Sequence, residues 1–277
     1  MRPFVLTLLL VLLLVVACST VPYTKRSQLM LVSEGTVDNL GAQAYQQVLS
    51  QERISHAPEA VHAVTKVGER IAKAANQPKY QWQFTIIDDP KQANAFALPG
   101  GKVAVYTGLF PVAQNTAGLA AVVGHEVGHV LAHHAAERMS QGLLLQLGAS
   151  GLSAALGAQD PATRDAVMQA LGLGAQYGVL LPFGRAQESE ADRIGLILMA
   201  QAGYDPHAAL DLWRRFDASG KDAPPEFLST HPSYNTREQN ISSWLPEAMR
   251  YYKPSRAALV PLPTVTGHRD SSEGHDR

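Results

Sequence analysis

The chain has 277 residues, a formal net charge of −1 and charged side chains at 17% of its positions. This near-neutral balance gives no electrostatic case for a nucleic-acid-binding protein, which needs a basic face. The length is sufficient for one well-buried domain. The sequence shows no repeat of about 20–50 residues, so we do not expect a helical-repeat module. A single cysteine, Cys18, leaves no pair for a disulfide or for a cysteine-based zinc site.

Residues 1–17 have the pattern of a signal peptide. Arg2 precedes an apolar run from Phe4 to Val16, which is too short to span a bilayer. Val15-Val16-Ala17-Cys18 resembles a bacterial lipobox, in which Cys18 is lipidated, and Ser19 after it favours sorting to the outer membrane. We therefore expect a lipid-anchored protein of the outer membrane that faces the periplasm. The alternative is an ordinary signal peptide that is cleaved nearby.

The rest of the chain reads as helices, a small group of strands, and then helices again. Residues 18–33 are expected to form an extended tether, and residues 251–277 a disordered tail. Apolar spacing and turn residues between them predict the following elements: helices over 36–55 and 58–75, a strand over 80–87, a hairpin of 93–98 with 103–107, and helices over 116–141, 187–202 and 206–216. This order predicts an α+β fold with a short antiparallel sheet.

The strongest chemical signal is the pentapeptide His125-Glu126-Val127-Gly128-His129, which lies inside the long helix predicted over 116–141. On a helix, residues four apart share one face, with Cβ atoms about 5–6 Å apart. Two imidazoles at that spacing can bind one Zn²⁺, while Glu126 lies beside the metal and can take a proton from water. The pattern predicts a metalloprotease centre with one zinc ion per chain.

A catalytic zinc needs a third protein ligand, and the helix predicted over 187–202 offers two carboxylates for it. Glu188 and Asp192 are four residues apart and therefore lie on one face. One of them can bind the metal while the other accepts a hydrogen bond from a ligating histidine and fixes its ring. The alternative is a solvated acidic face.

These motifs resemble the gluzincin metallopeptidase family that includes the HtpX heat-shock protease, the Oma-type protease and the CAAX prenyl endopeptidases. The resemblance runs from about residue 35 to 245 and is strongest to small LoiP-type outer-membrane lipoproteins. Further matching blocks carry it: Asn94 to Gly101, Val105 to Leu109, Ala202 to Pro206, and Ser229 to Pro232 with Arg237. It implies a mostly helical, zincin-like domain over 34–250.

The resemblance also assigns roles at the metal. It implies that His125, His129 and Glu188 bind zinc, and that Glu126 acts as general base and then as general acid. It further implies that Asp192 orients a ligating histidine.

Other roles follow from the same resemblance. His231 and Arg237 match family positions that approach the metal and help to hold the oxyanion or the substrate backbone. Asn94, Ala95, Phe96 and Ala97 match the sheet edge on which the substrate peptide lies as an added strand. The alternative for His231 is a resting state in which it occupies the open zinc position.

The sequence signal is weaker for residues 142–181 and for two histidines after the pentapeptide. Residues 142–181 are interpreted as a helical hairpin packed on the core, with a mobile lid over the cleft as the alternative. His133 and His134 are interpreted as ordinary helix residues.

Two functions remain open at this stage. The first is a zinc-dependent metalloendopeptidase, a lipoprotein that cleaves misfolded or unassembled envelope proteins and contacts the membrane through the lipid on Cys18. The second is a chaperone-like envelope assembly factor that keeps the fold and the metal but cleaves little. Glu126 favours the first, because a scaffold would have little chemical need for it.

Overall fold

The structure is a computed structural model that describes residues 18–150, 184–219, 227–228, 231, 236–255 and 259–264. The predicted signal peptide, residues 151–181 of the predicted insertion, and Ser229, Thr230 and Pro232 lie outside the described residues. Within the described part of the chain, no helix has both the length and the apolar character needed to cross a bilayer.

The segment expected to be a tether contains a paired hairpin. Strand β1 (Cys18–Thr20) lies antiparallel to β2 (Ser27–Leu29), with Cys18 opposite Leu29. Val21, in the turn between them, is fully buried in the main core. Burial of this side chain, and ion pairs from Arg26 to Glu137 and Glu190, attach the hairpin to the body of the protein.

Two helices follow the hairpin. Helix α1 (Glu34–Leu49) begins at Ser33, whose hydroxyl accepts a hydrogen bond from the backbone N–H of Thr36, and it ends earlier than predicted. Helix α2 (Pro58–Ala75) matches its predicted bounds and has proline in its first turn, where the missing N–H costs nothing. Its apolar stripe is buried against the main core.

The sheet has three strands, β3 (Gln83–Ile87), β4 (Ala95–Leu98) and β5 (Lys102–Tyr106), in the order β3-β5-β4. The hairpin of β4 and β5 is antiparallel as predicted, and Gly100 and Gly101 supply the positive φ angles of its turn. Strand β3, however, pairs with β5 in parallel. The sheet is therefore mixed and not purely antiparallel, because β5 lies between β3 and β4 and leaves β4 at an edge.

The long helix predicted over 116–141 is two helices. After a 3-10 turn (Thr107–Leu109) and a short helix α3 (Phe110–Ala113), helix α4 (Thr116–Leu131) is buried along its whole length. Helix α5 (His134–Ser150) starts after His133, whose φ of 52° is left-handed and ends α4. A non-glycine residue in this conformation is uncommon, and the sequence carries no local signal for it.

Of the three remaining helices among the described residues, the first two pack against α4 and the last packs against the other two. They are α6 (Arg185–Gln201), α7 (His207–Ser219) and α8 (Arg237–Ala248). Helices α4 and α6 approach backbone to backbone: a Cβ atom on Gly128 would lie 2.7 Å from the carbonyl oxygen of Ala191, and one on Gly195 would lie 2.8 Å from the nitrogen of His125. This close crossing brings the carboxylates of α6 to the His-Glu-x-x-His face of α4. The α+β, mostly helical, zincin-like class is confirmed.

Part of the predicted disordered tail is attached to the fold. Val260 and Leu262 form backbone hydrogen bonds with Thr116 and Gln114, at the start of α4. These bonds fix residues 259–264 in place; the boundaries of the predicted domains remain predictions.

Candidate metal centre

Four side chains from three parts of the chain place their donor atoms together. His125 and His129 of α4, Glu188 of α6, and His231 each offer one donor atom, and these atoms lie within 4.8 Å of one another. All four residues are at most 3% exposed. Imidazole nitrogen and carboxylate oxygen are donors that zinc prefers, in sets of three or four. This buried donor set fits Zn²⁺.

Asp192 and Arg237 fix the orientation of His125. The Nδ1 atom of His125 lies 2.8 Å from Oδ1 of Asp192, so the Nε2 atom is left to face the donor set. Arg237 donates from Nε to Oδ2 of Asp192 at 2.8 Å and from Nη2 to Oδ1 at 3.0 Å. Arg237 is buried and also donates to Oε2 of Glu188 at 3.1 Å. In this conformation its guanidinium contacts the carboxylates of α6.

The charges around Glu188 keep its carboxylate ionised. Burial alone would raise its pKa, but His231, His129 and His125 outweigh burial and hold the pKa well below its ordinary value. Burial lowers the pKa of His129 well below its ordinary value, which favours the neutral imidazole. An ionised carboxylate, as at Glu188, and a neutral imidazole, as at His129, are the protonation states in which these two residue types bind a metal.

Glu126 lies beside the donor set. It is 2% exposed, its Oε1 atom lies 3.3 Å from Nε2 of His231, and its carboxylate accepts a hydrogen bond from the backbone N–H of Ala97. Burial raises its pKa. A carboxylate with a raised pKa is a better proton acceptor near neutral pH than an exposed glutamate.

The predicted substrate edge adjoins Glu126. Asn94, Ala95 and Phe96 are at most 4% exposed, and Ala97 is half-buried. The side-chain oxygen of Asn94 accepts a hydrogen bond from the N–H of Ala95 at 2.8 Å. Ala97 therefore brings the edge strand β4 to the candidate base.

His231 lies between Glu126 and the other donors. Its Nδ1 atom lies 3.1 Å from Oε1 of Glu188 and 3.2 Å from Nε2 of His125. Its ring stacks on Phe227 with a centroid distance of 4.4 Å. His231 therefore contacts both the candidate base and the other donors of the group.

A pocket opens beside His129. Its walls come from α1, the sheet and the break between α4 and α5, and they are mostly apolar with two carboxylates, as follows: Glu34, Val37, Asp38, Tyr80, Ala97, Pro99, His129, Val130, His133, Ala135 and Ala136. The pocket lies between His129 of the donor set and Ala97 of the edge strand.

Sequence reasoning missed one histidine of the site. His134 is fully buried, and its Nδ1 atom lies 2.8 Å from Nδ1 of His129. On one continuous helix a residue five positions after His129 would point away from it. The break at His133 turns His134 back towards His129, so no periodic pattern could have found this contact.

A buried His-Glu-x-x-His helix with a glutamate from a second helix defines the gluzincin class of metallopeptidase site. Residues 58–245 match Peptidase family M48. The chain belongs to this family.

The chain is similar to several proteins of known name. It is 38% identical over 240 residues to the mitochondrial metalloendopeptidase OMA1 of Schizosaccharomyces pombe, covering 82% of this chain and 66% of that protein. It is 33% identical over 238 residues to OMA1 of Arabidopsis thaliana, with 84% and 45% covered, respectively. It is 29% identical over 227 residues to the beta-barrel assembly-enhancing protease of Escherichia coli, with 80% and 46% covered. The chain thus spans less than two thirds of each relative.

The predicted location is wrong. Four relatives between 30% and 38% identical are mitochondrial proteins, which contradicts the outer-membrane, periplasm-facing location expected from residues 1–19. A basic start followed by a short apolar run is a general targeting pattern, and one cysteine after it does not specify a membrane.

Proposed function

We propose that this chain is a zinc-dependent metalloendopeptidase. The observation that carries the proposal is the position of Glu126, a buried carboxylate beside the His125–His129–Glu188 donor set and hydrogen-bonded to the edge strand at Ala97. The family and the metalloendopeptidase names of the relatives support it.

The residues of the site divide the chemistry between them. His125, His129 and Glu188 would hold the metal, and zinc in that place supplies Lewis acidity that activates water and polarises a carbonyl. Glu126 takes the proton of the attacking water and then delivers it to the leaving amine, for which its raised pKa is suited. Asp192 and Arg237 keep His125 oriented.

The substrate would bind as an additional strand along β4. Recognition through backbone hydrogen bonds requires an extended segment and reads few side chains. Extended segments are available in unfolded or unassembled proteins and are rare on folded ones. We therefore propose misfolded or unassembled envelope proteins as substrates, which the name of the beta-barrel assembly-enhancing relative supports. Lipid on Cys18 remains a prediction that mass spectrometry of the mature protein would test.

The second candidate is an assembly factor with gated proteolysis. The position of His231 against Glu126 and the donor set favours gating, because the imidazole must move before a substrate carbonyl can enter. A gated peptidase and an ungated one both need Glu126 as the base, whereas a non-catalytic scaffold does not. Substitution of Glu126 therefore distinguishes both of them from a scaffold.

The test is Glu126→Gln in the full chain, with casein and an unfolded outer-membrane protein as substrates. We expect cleavage to be lost while one zinc per chain stays bound, because glutamine keeps the shape but cannot take a proton. Glu59→Gln, an exposed position on α2, is the control and should cleave like the parent. Equal cleavage by Glu126→Gln and the parent would refute the mechanism.

A further inference from the structure

The contact between His129 and His134 fixes the tautomer of both rings. The Nε2 atom of His129 faces the donor set, 3.1 Å from Nε2 of His125 and 3.3 Å from Oε1 of Glu188. A metal-binding Nε2 carries no hydrogen, so the hydrogen of the neutral ring lies on Nδ1. We assign Nδ1 of His129 as the donor to Nδ1 of His134, at 2.8 Å. His134 must then be neutral, with its own hydrogen on Nε2.

Glu190 accepts that hydrogen. Nε2 of His134 lies 3.1 Å from Oε2 of Glu190, and His134 is fully buried. The carboxylate of Glu190 also accepts hydrogen bonds from Arg26 and Thr24. It points away from the donor set, on a different face of α6 from Glu188.

Arg26 binds two carboxylates, those of Glu190 and Glu137. Its Nε atom donates to Oε2 of Glu190 at 2.8 Å, and its Nη1 and Nη2 atoms donate to the two oxygens of Glu137 at 2.6 Å and 2.8 Å. Gln187 donates to Oε2 of Glu137 at 2.9 Å. Arg26 lies in the turn before β2 of the N-terminal hairpin. Two side chains, Glu190 and His134, therefore connect this hairpin to His129.

The two ligating histidines of α4 therefore have parallel supports. His125 is oriented directly by Asp192, which Arg237 holds. His129 is oriented through one additional ring, by Glu190. In both cases the carboxylate comes from α6 and the arginine comes from a distant part of the chain.

We propose that His134 is a positioning residue for the metal ligand His129, and that Glu190 and Arg26 hold it in place. This inference rests on the zinc site proposed above. The N-terminal hairpin then helps to orient a metal ligand, because its Arg26 holds the carboxylate that orients His134.

The test compares two substitutions of His134 with similar bulk. Asparagine places an acceptor oxygen near the position of Nδ1, so His134→Asn can still accept from His129. Glutamine places its amide near the position of Nε2, so His134→Gln can reach Glu190 but offers His129 no acceptor. The readout is zinc affinity, measured by competition with a chromophoric chelator, together with the absorption spectrum of the Co²⁺-substituted protein. Thermal unfolding of both apoproteins controls for folding.

We expect His134→Gln to weaken zinc binding by about 10–100-fold, with a changed Co²⁺ spectrum, and His134→Asn, which keeps the acceptor for His129 but loses the contact with Glu190, to weaken it by less than about tenfold. His133→Asn is the matched control: this neighbour is 19% exposed, lies 3.6 Å from Glu34, and should leave zinc affinity unchanged. Equal zinc affinities of the two His134 variants would overturn the positioning role.

A second variant acts at a distance from the metal. Arg26→Gln should weaken zinc binding in the same direction as His134→Gln, and unchanged affinity would refute the role of the hairpin. A parent protein that binds no zinc would instead refute the metal site itself, which separates failure of this inference from failure of the proposed function.

Discussion

The guanidinium of Arg237 contacts both oxygens of Asp192 through two hydrogen bonds, at 2.8 Å and 3.0 Å, in a fully buried setting. The guanidinium of Arg237 also lies over the indole of Trp213, with its Cζ atom 3.4 Å from the ring centroid. Since Arg237 also reaches Glu188, one cation offsets the charge of two buried carboxylates.

Removal of this cation should destabilise the apoprotein. Arg237→Met leaves Asp192 and Glu188 without their cation, and breaking a buried pair by removing one partner costs about 3–5 kcal/mol. Denaturant unfolding of the metal-free protein measures the change. Arg214→Met is the control: Arg214 is 55% exposed and pairs with Glu238 at 3.0 Å, so its loss should cost less than about 1 kcal/mol. Similar losses in both variants would contradict this account of Arg237.

The crossing of α4 and α6 predicts a severe effect for a single methyl group. A Cβ atom on Gly195 would lie 2.8 Å from the backbone nitrogen of His125 and 2.9 Å from the carbonyl carbon of Gly124, neither of which can move alone. Gly195→Ala should cost about 1–3 kcal/mol and weaken zinc binding, because the two helices carry the ligands. Gly35→Ala, whose added carbon meets no atom within 4 Å from other parts of the described chain, should be neutral or slightly stabilising. Normal zinc affinity in Gly195→Ala would show that the crossing does not set the ligand geometry.

The position of His231 predicts a gain of activity when it is removed. Its imidazole fills the space between Glu126 and the donor set, so His231→Ala should cleave an unfolded substrate faster than the parent at saturating zinc. Zinc affinity should fall, since one donor is lost. His207→Ala, at an exposed position, should change neither property. A fall in kcat of about 10²–10³-fold would contradict gating and would instead assign His231 to the oxyanion.

Tyr45 predicts a loss of stability at high pH. Its hydroxyl donates to the carbonyl of Val103 at 2.8 Å, and burial raises its pKa to about 12 from 10.0. Because the folded protein retains this proton more tightly, the stabilisation is complete below pH 10 and is lost as the pH rises towards 12. Between about pH 9 and about pH 11, the free energy of unfolding should fall by about 1–3 kcal/mol more in the parent than in Tyr45→Phe. Equal pH dependence of the two proteins would contradict this assignment.

The sequence predicted the parts of the site that depend on local periodicity. His125 and His129 are four residues apart on one helix, as are Glu188 and Asp192, and the structure places both pairs on facing surfaces of α4 and α6. The hairpin of β4 and β5 likewise followed from Pro99, Gly100 and Gly101.

Contacts between distant positions were out of reach of such patterns. Glu190 is 164 residues from Arg26 and 56 from His134, so no spacing rule connects them. The break at His133 has no glycine or proline to mark it, which is why α4 and α5 were expected to be one helix. The parallel pairing of β3 with β5 depends on the order of strands in the sheet, which the alternation of side chains does not specify.

We expect one zinc ion, held by His125, His129 and Glu188, to be what makes this chain a peptidase. The most direct test is to remove metal with a chelator and to titrate zinc back while following cleavage of casein. We expect cleavage to be lost on chelation and to return in proportion to added zinc, reaching its maximum at one zinc per chain. Cleavage that survives complete removal of zinc, or that is not restored by one equivalent, would contradict this expectation.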